Sequence, residues 1–363
     1  MEREELAAWL RLLETPGIGR DTARRLLAGF GSPQAVFEAS AAEWREVAGA
    51  TAGRLADTPD SLHELVESTH AWLIGAAEAP RHVITLGDPL YPPALLETAD
   101  PPLLLYAQGD VQWLRAPGIA IVGSRNPSHQ GLDNARAFAA ALGRAGLTVV
   151  SGLALGIDGA AHEGALQGGG GTIAVIGTGL DRVYPKLHLE LAHRIVRQGV
   201  LLSEYSLGTP PLAQNFPLRN RIIAGLAQGT LVVEAALRSG SLITARLASE
   251  AGRDVFAIPG SIHSPQARGC HWLIKQGAKL VDSAQDILEE LRLPPAPAAE
   301  SKPALRPDDP LLAALGYEPS SLESLSARTG WSAAELNARL LELELEGLVA
   351  RLPGQLFQRI ASV

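Results

Sequence analysis

The chain has 363 residues, of which 46% are hydrophobic, and its formal net charge is −8. This length allows two or three domains, and the negative charge excludes a general basic field that would draw the whole protein onto nucleic acid. Acidic residues outnumber basic ones in residues 1–84 and 305–363, whereas the middle of the chain is balanced. A nucleic-acid site would therefore have to be a local cluster of basic side chains.

The cysteine content and the N-terminus predict a cytoplasmic protein. The single cysteine, Cys270, excludes an intrachain disulfide and a cysteine-based zinc site, and it is typical of a reducing compartment. Met1 to Leu13 lacks the basic start and apolar core of a signal peptide. No apolar run approaches the roughly 20 residues that a membrane-spanning helix needs, so no membrane contact is expected.

Residues 1–80 are predicted to form a helical module. Two helices are joined at residues 17–19 by a Gly-Ile-Gly segment, and glycines allow a tight turn there. This pattern is typical of helix-hairpin-helix or SAM-like modules, in which the turn amides contact a DNA phosphate. The alternative is a packing domain whose turn contacts no ligand, and the acidic balance of the region favours it.

Residues 81–292 alternate between short apolar runs and helical segments. This alternation predicts an α/β fold with a Rossmann-like, doubly wound, mainly parallel sheet. Ligands on such sheets bind at the carboxyl ends of the strands. The predicted strands are His82–Leu86, Leu103–Ala107, Ile119–Val122, Leu147–Val150, Thr172–Ile176, Val200–Ser203, Thr230–Val233, Asp254–Ile258 and Lys279–Val281.

The C-terminal part is predicted to be a proline-rich linker over residues 293–309 and a winged-helix domain over residues 310–363. The domain pattern is three helices, at 310–315, 321–329 and 333–346, followed by a hairpin. The third helix contains four glutamates and a single arginine, whereas a helix that reads DNA should be basic. We therefore expect this domain to contact protein rather than DNA.

The first candidate site follows the predicted strand that ends at Val122. Gly123 permits close backbone approach, Ser124 offers a hydroxyl, and Arg125 offers a forked donor for phosphate. This position is where such a sheet presents ligands. The alternative is a surface turn with a solvated arginine.

A second candidate site is the run that begins at Phe216. Arg219, Asn220 and Arg221 stand there at a predicted helix start, which suits an anion such as phosphate. Two residues on a helix are separated by about 200°, so we expect one arginine to face the ligand and the other to pair inward with Glu204 or Glu234. Phe216 is a candidate for base stacking, or alternatively a core residue.

Two further segments offer candidate contacts. Ser239, Gly240, Ser241 and Thr244 form another predicted anion nest, or alternatively a simple helix cap. Lys186 is a candidate phosphate partner, with a solvated lysine as the alternative.

Other motifs argue against a cofactor, a metal or a catalytic site. The Gly177-Thr178-Gly179 segment lacks the third glycine of a dinucleotide fingerprint, so no NAD binding and no other cofactor is expected. Asp158 and His162, four residues apart on a predicted helix, are expected to form a structural pair rather than a metal site. No catalytic residues are predicted.

In combination these motifs resemble the DNA-processing protein A family (DprA/Smf), whose members are bacterial single-stranded-DNA binders and recombinase loaders. The matching segments are Val122–Arg125, Ser151–Asp158 with Ala161-His162, Gly179–Asp181 with Tyr184-Pro185, Phe216–Leu226, Val232–Ala235, Ser239–Ala245 and Val255–Gly260. The three-part layout is similar as well. His188 and His271 depart from the family pattern, which often has asparagine at both positions.

The resemblance implies a function and partners. It implies a homodimer built on the core, partnership with the RecA recombinase in natural transformation, and a DNA pocket lined by Arg125, Lys186 and the run from Phe216 to Arg221. Two other classes stay open: a nucleotide-processing Rossmann-like enzyme of the nucleoside monophosphate hydrolase type, and a ligand-sensing winged-helix transcription factor. The first lacks its Pro-Gly-Gly-x-Gly-Thr segment here, and the acidic third helix disfavours the second.

Overall fold

The structure of the protein is a computed structural model, and it describes residues 1–294, 309–317 and 319–360. The predicted linker at 293–309 thus lies almost entirely outside the described residues. The N-terminal module is helical, as predicted. Its elements are α1 (Arg3–Glu14), α2 (Arg20–Phe30), α3 (Pro33–Glu38), α4 (Ala41–Ala48), a 3₁₀ helix (Ala50–Ala56) and α5 (Leu62–Ile74).

Local capping sets the starts of two of these helices. Ser32 accepts a hydrogen bond from the Ala35 amide, and a proline at the next position starts α3 with its ring already in helical geometry. Ser40 and Glu43 form a reciprocal capping box at the start of α4. The module is therefore held by helix-start signals that its own sequence contains.

The central region forms one nine-stranded sheet. Its strands are β1 (Arg81–Thr85), β2 (Leu104–Gly109), β3 (Gly118–Val122), β4 (Thr148–Ser151), β5 (Thr172–Val175), β6 (Val200–Ser203), β7 (Gly229–Val232), β8 (Asp254–Ala257) and β9 (Lys279–Leu280). The order is β1-β2-β6-β5-β4-β3-β7-β8-β9. Strands β3 to β9 pair in parallel, whereas β2 runs antiparallel to both β6 and β1.

Helices cover both faces of the sheet, which confirms the doubly wound α/β prediction. The helices are α6 (Pro93–Leu96), α7 (His129–Arg144), α8 (Ile157–Gly168), α9 (Leu189–Gln198), α10 (Asn215–Leu226), α11 (Ser241–Glu250), α12 (Arg268–Lys275) and α13 (Ala284–Glu290). Apolar residues of α6, α10, α11 and α12 pack on one face, and those of α7, α8 and α13 pack on the other.

The N-terminal module does not have a core of its own. Its buried residues, such as Leu10 and Leu26, belong to one cluster with Leu104 and Tyr106 of β2 and with residues of α9. Trp72 of α5 meets Tyr106 edge to face, with ring centroids 6.0 Å apart. The module therefore completes one face of the sheet at its β1–β2 end.

The C-terminal domain is a winged helix, as predicted. It consists of α14 (Pro310–Leu315), β10 (Ser320–Ser321), α15 (Leu322–Thr329), α16 (Ala333–Leu345), β11 (Val349–Leu352) and β12 (Leu356–Arg359). The strands form a small antiparallel sheet in the order β10-β12-β11, and β10 is an addition to the prediction. Leucines of the three helices make a separate core with Val349 and Phe357.

Candidate nucleic-acid interface

A cavity of about 690 Å³ opens at the carboxyl ends of β3 and β7. These neighbouring strands form the switch point of the sheet, because β4, β5 and β6 lie on one side of β3 while β7, β8 and β9 lie on the other. All but two of the predicted contact residues line this cavity. Those in the lining are Gly123, Ser124, Arg125, Phe216, Arg219, Asn220, Ser239, Gly240, Ser241 and Thr244.

The segment after β3 brings an arginine to the rim of the cavity. A Cβ atom on Gly123 would lie 2.7 Å from Ile157 and 2.9 Å from the Glu234 carbonyl oxygen, so only glycine fits there. Ser124 is buried, and its Oγ accepts a hydrogen bond from the Asn126 amide. Arg125 is exposed, and among the described residues no carboxylate lies within ion-pair distance of it.

Two aromatic rings stand beside this arginine. Phe216 is half-buried, and its ring lies 5.8 Å from the Arg125 guanidinium carbon. Tyr184 is 49% exposed and packs against Phe216, with ring centroids 5.7 Å apart and planes inclined by 44°. Sequence reasoning did not select Tyr184 as a contact residue, although an aromatic side chain just before Pro185 in a polar loop was a usable signal. The cavity thus combines a cation with an accessible aromatic pair.

Arg219 lies deep in the cavity as a buried cation. It is the fifth residue of α10, because the helix begins at Asn215, one turn earlier than predicted. The side chain lies against the Gly152 backbone, where a Cβ atom would come within 1.6 Å of Nη1. Burial lowers the pKa of Arg219 to about 10, and the nearby Asp158 carboxylate opposes this shift, so the guanidinium stays charged at neutral pH. Its Nε has no hydrogen-bond partner among the described residues.

The predicted pairing of Asp158 with His162 is wrong. Asp158 Oδ2 turns back to the loop before α8 and accepts hydrogen bonds from the amides of Gly152 (3.1 Å) and Ala154 (3.3 Å). His162 lies one turn later and contacts Thr172 instead, with Nδ1 2.7 Å from Oγ1. Burial raises the pKa of Asp158, against the opposing effects of Arg219 and the two amides. Asp158 therefore shapes the loop that supports Arg219.

Arg221 lies outside the cavity lining, which corrects its placement beside Arg219. Its Nη2 lies 2.5 Å from Glu204 Oε1 and its Nε lies 2.8 Å from Asp100 Oδ2. Burial alone would lower the pKa of Arg221, but the two carboxylates outweigh it and raise the pKa. One arginine faces the cavity and the other pairs inward with Glu204, as the helix geometry predicted. Asp100, a second inward partner, was not foreseen.

The wall formed by α11 presents hydroxyl groups rather than free amides. Ser239 Oγ lies 2.7 Å from Ser241 Oγ and accepts a weak 3.4 Å hydrogen bond from the Ser241 amide. The next two amides, of Leu242 and Ile243, donate to the carbonyls of Ser239 and Gly240. The predicted nest of open amides is therefore closed by local turns. The serine hydroxyls and Thr244 still line the cavity.

Lys186 is the second predicted residue that does not reach the cavity. It lies in an exposed 3₁₀ helix (Lys186–His188) next to Tyr184, outside the cavity lining. Arg238, which the sequence interpretation did not select, is exposed and lines the cavity. Three arginines therefore converge here: Arg125, Arg219 and Arg238.

The described residues contain neither a metal site nor a membrane-spanning helix. No group of three or more His, Cys, Asp or Glu side chains in those residues could hold a metal ion. No helix in the described ranges is long and apolar enough to cross a bilayer.

Comparison with known proteins identifies the family. A model of the family described as DNA recombination-mediator protein A matches residues 82–292. The chain belongs to this family. Further matches are to a DprA-like N-terminal HHH domain over residues 3–61 and to a DprA winged helix domain over residues 294–355.

Several relatives are similar over much of the chain. Protein Smf of Escherichia coli (strain K12) is 46% identical over 301 residues, which is 80% of this chain and 79% of the relative. The X-ray structure of DNA processing protein A from Streptococcus pneumoniae matches with a TM-score of 0.68 at 40% identity, over 80% of this chain and 98% of that chain. A structure of DNA processing protein A from Helicobacter pylori, described as giving insight into a unique single-stranded DNA binding mode, matches with a TM-score of 0.54 at 30% identity, over 59% of this chain and 97% of that chain.

Proposed function

We propose that the cavity at the ends of β3 and β7 binds single-stranded DNA. The observation that carries this proposal is the meeting of Arg125, Arg219 and Arg238 with the accessible pair of Tyr184 and Phe216. Cationic side chains bind the phosphate backbone, and aromatic rings stack with bases. The Helicobacter pylori relative, whose structure concerns single-stranded DNA binding, lends support.

Arg219 should make the cavity bind phosphate tightly. A buried cation without an ion pair in the described residues is costly, and a phosphate oxygen would compensate the lost hydration. The exposed Arg125 would hold the backbone at the rim beside Phe216. A duplex keeps its bases stacked inside, so the two aromatic rings favour a single strand.

Binding to labelled single-stranded and duplex oligonucleotides, followed by fluorescence anisotropy over a salt series, tests the proposal. We expect tighter binding of the single strand and a steep loss of affinity with salt, because each phosphate contact releases counterions. Arg219→Ala should reduce the salt slope by about 0.7, the contribution of one single-strand phosphate contact. Equal affinity for both forms, or binding independent of salt, would refute the proposal.

We propose a binding role rather than nucleotide hydrolysis for this cavity. Among the described residues that line the cavity, Asp158 is the one with a carboxylate, and its Oδ2 already accepts two backbone hydrogen bonds. Glu234, behind the cavity, is occupied by the Ser128 amide and hydroxyl at the start of α7. Both carboxylates are thus bound by backbone or serine donors, which suits a structural role better than the activation of water. Release of base or phosphate from nucleoside monophosphates by the purified protein would favour the enzyme instead.

The winged helix is proposed to contact protein rather than the DNA strand. Arg339 of α16 is held by Asp309 and Glu342, each 2.5 Å from a guanidinium nitrogen. The same helix exposes Leu341 and Leu345. A helix with its arginine paired and its leucines exposed suits a protein partner better than a phosphate backbone.

We propose further that the protein acts in the cytoplasm as a homodimer that loads RecA onto single strands during natural transformation. Ile262 and Trp272, which follow β8, are 75% and 46% exposed, and the short β9 ends the sheet nearby. Such a surface suits a second copy of the core, and two linked cavities on one strand would raise avidity.

Two measurements test these partners. Light scattering should give twice the chain mass, and Trp272→Glu should give a monomer; a monomeric parent would contradict the dimer. RecA ATP hydrolysis on single strands already coated with a single-strand-binding protein should start sooner when the protein is added. An unchanged lag would contradict recombinase loading.

A further inference from the structure

An ion-pair cluster joins the N-terminal module to α10. Asp100 Oδ2 lies 2.8 Å from Arg20 Nη2, and Asp100 Oδ1 lies 2.5 Å from Arg24 Nη1. Arg20 also reaches Glu204, at 3.6 Å. The same two carboxylates hold Arg221 of α10. Three guanidinium groups from two parts of the fold therefore share two carboxylates, and we call this set the arginine–carboxylate cluster.

The cluster is largely shielded from water. The side chains of Arg221 and Glu204 are 13% and 11% exposed, and those of Asp100 and Arg20 are partly exposed. Burial opposes ionisation of Asp100, but hydrogen bonds and charge from Arg221, with help from Arg24 and Arg20, hold its pKa well below the usual range. Ion pairs in such surroundings fix geometry more strongly than exposed pairs do, because solvent screens them less.

α10 connects the cluster to the cavity. Arg221 points to the cluster and Arg219 points into the cavity, since two residues on a helix are about 200° apart. Phe216 and Asn220 of the same helix also line the cavity. A turn or shift of α10 that relaxes Arg221 would therefore move Arg219 at the base of the cavity and Phe216 at its rim.

The N-terminal module contacts this region in a second place. Ser206, which follows β6 shortly after Glu204, donates a 2.5 Å hydrogen bond to Glu14 of α1. Tyr205 between them donates to the carbonyl of Asn215, the first residue of α10. Helices α1 and α2 thus both contact residues 204–206, the segment that supports the start of α10.

We propose that Arg20 and Arg24 are positioning residues for the cavity: through Asp100 and Glu204 they hold Arg221 and so set the orientation of α10. In this role the N-terminal module affects single-strand affinity without touching DNA. The inference rests on the proposed function of the cavity, and its test includes a measurement that needs no DNA.

Point variants are the appropriate test, because the module shares its core with the sheet and cannot be removed cleanly. We compare Arg20→Met with Arg25→Met, a control on the same helix. Arg25 pairs with Asp21 one turn before it, and both side chains are more than half exposed. Glu204→Gln is a second variant that weakens the cluster from the core side, in case Arg20→Met does not fold.

The measurements are single-strand affinity over a salt series and hydrogen exchange of residues 215–226 in the free protein. For Arg20→Met and Glu204→Gln we expect a loss of affinity on the order of tenfold, an unchanged salt slope, and faster exchange in α10. Arg25→Met should match the parent in all three readouts.

Two results would overturn the inference. A salt slope reduced by one contact in Arg20→Met would mean that Arg20 binds phosphate directly. Exchange in α10 that matches the Arg25→Met control would mean that the cluster does not position the helix. The parent protein could bind no single strand while Arg20→Met and Glu204→Gln still speed up hydrogen exchange in α10. In that case the proposed function fails, but the positioning of α10 by the arginine–carboxylate cluster stands.

Discussion

Replacing Arg221 and Arg219 singly by alanine should produce different effects: the first should mainly lower stability, and the second should remove a direct phosphate contact. Arg221→Ala removes a guanidinium that lies 2.5 Å from Glu204 and 2.8 Å from Asp100. Arg20 still pairs with Asp100 and lies 3.6 Å from Glu204, and Arg24 still pairs with Asp100. Breaking a buried pair costs about 3–5 kcal/mol, and the two remaining arginines place this case at the lower end, about 3 kcal/mol.

This cost should be visible in thermal melting. For a folding unit of this size, 1 kcal/mol shifts Tm by about 2–4 °C, so Arg221→Ala should melt roughly 6–12 °C below the parent. Arg219 has no ion pair to lose among the described residues, so Arg219→Ala should melt within a few degrees of the parent. Arg219→Ala should lose single-strand affinity by roughly ten- to a hundredfold, the effect of one charge-assisted hydrogen bond.

Differential scanning fluorimetry measures the melting temperature of both variants, and anisotropy titrations measure their single-strand affinity. Arg221→Ala should keep the parent's salt slope, because its side chain does not reach the strand, whereas Arg219→Ala should lower it. The reasoning is refuted if Arg219→Ala melts as low as Arg221→Ala. It is also refuted if both variants melt like the parent and lose DNA binding equally.

Three further predictions concern other parts of the chain. Arg125→Glu should cost more single-strand affinity than Arg359→Glu on the wing, and equal losses in titrations would move the DNA site to the winged helix. Deleting residues 305–363 should leave single-strand binding largely intact in a gel shift. Loss of single-strand binding in this variant would also mean that the DNA site lies on the winged helix. Burial lowers the pKa of His162 from 6.5 to about 3, so the unfolded chain takes up a proton first as pH falls. Stability should therefore drop by up to about 1.4 kcal/mol per unit below about pH 6.5, and urea titrations of His162→Gln should show a flatter dependence.

The strands of the sheet could be predicted from the sequence because they are buried on both faces and therefore form continuous apolar runs. Each predicted strand has an observed counterpart whose ends differ by at most two residues. In an α/β chain, a short continuous apolar run such as Val200–Ser203 is typical of a buried parallel strand. The cavity followed from topology, since motifs that end parallel strands meet at one edge of the sheet.

Side-chain direction was harder to predict. Helix geometry separated Arg219 from Arg221, but only the positions of Asp100 and Glu204 in space decided which one turns inward. Asp100 is 121 residues away from Arg221 along the chain, so no local pattern could reveal it. Arg238 and Tyr184 reach the cavity through loop conformations that have no periodic signature.

The common core of the N-terminal helices and the sheet changes what a truncation of this protein means. The family match to the central region begins at residue 82, which suggests a convenient place to cut. Yet Leu104 and Tyr106 of β2 are fully buried in one cluster with Leu10 and Leu26 of the module. A chain that starts at that residue would expose an apolar sheet face and lose Arg20 together with it. Such a deletion is physically a large-scale core mutation, and a defect in the truncated protein would not by itself assign DNA binding to the missing helices.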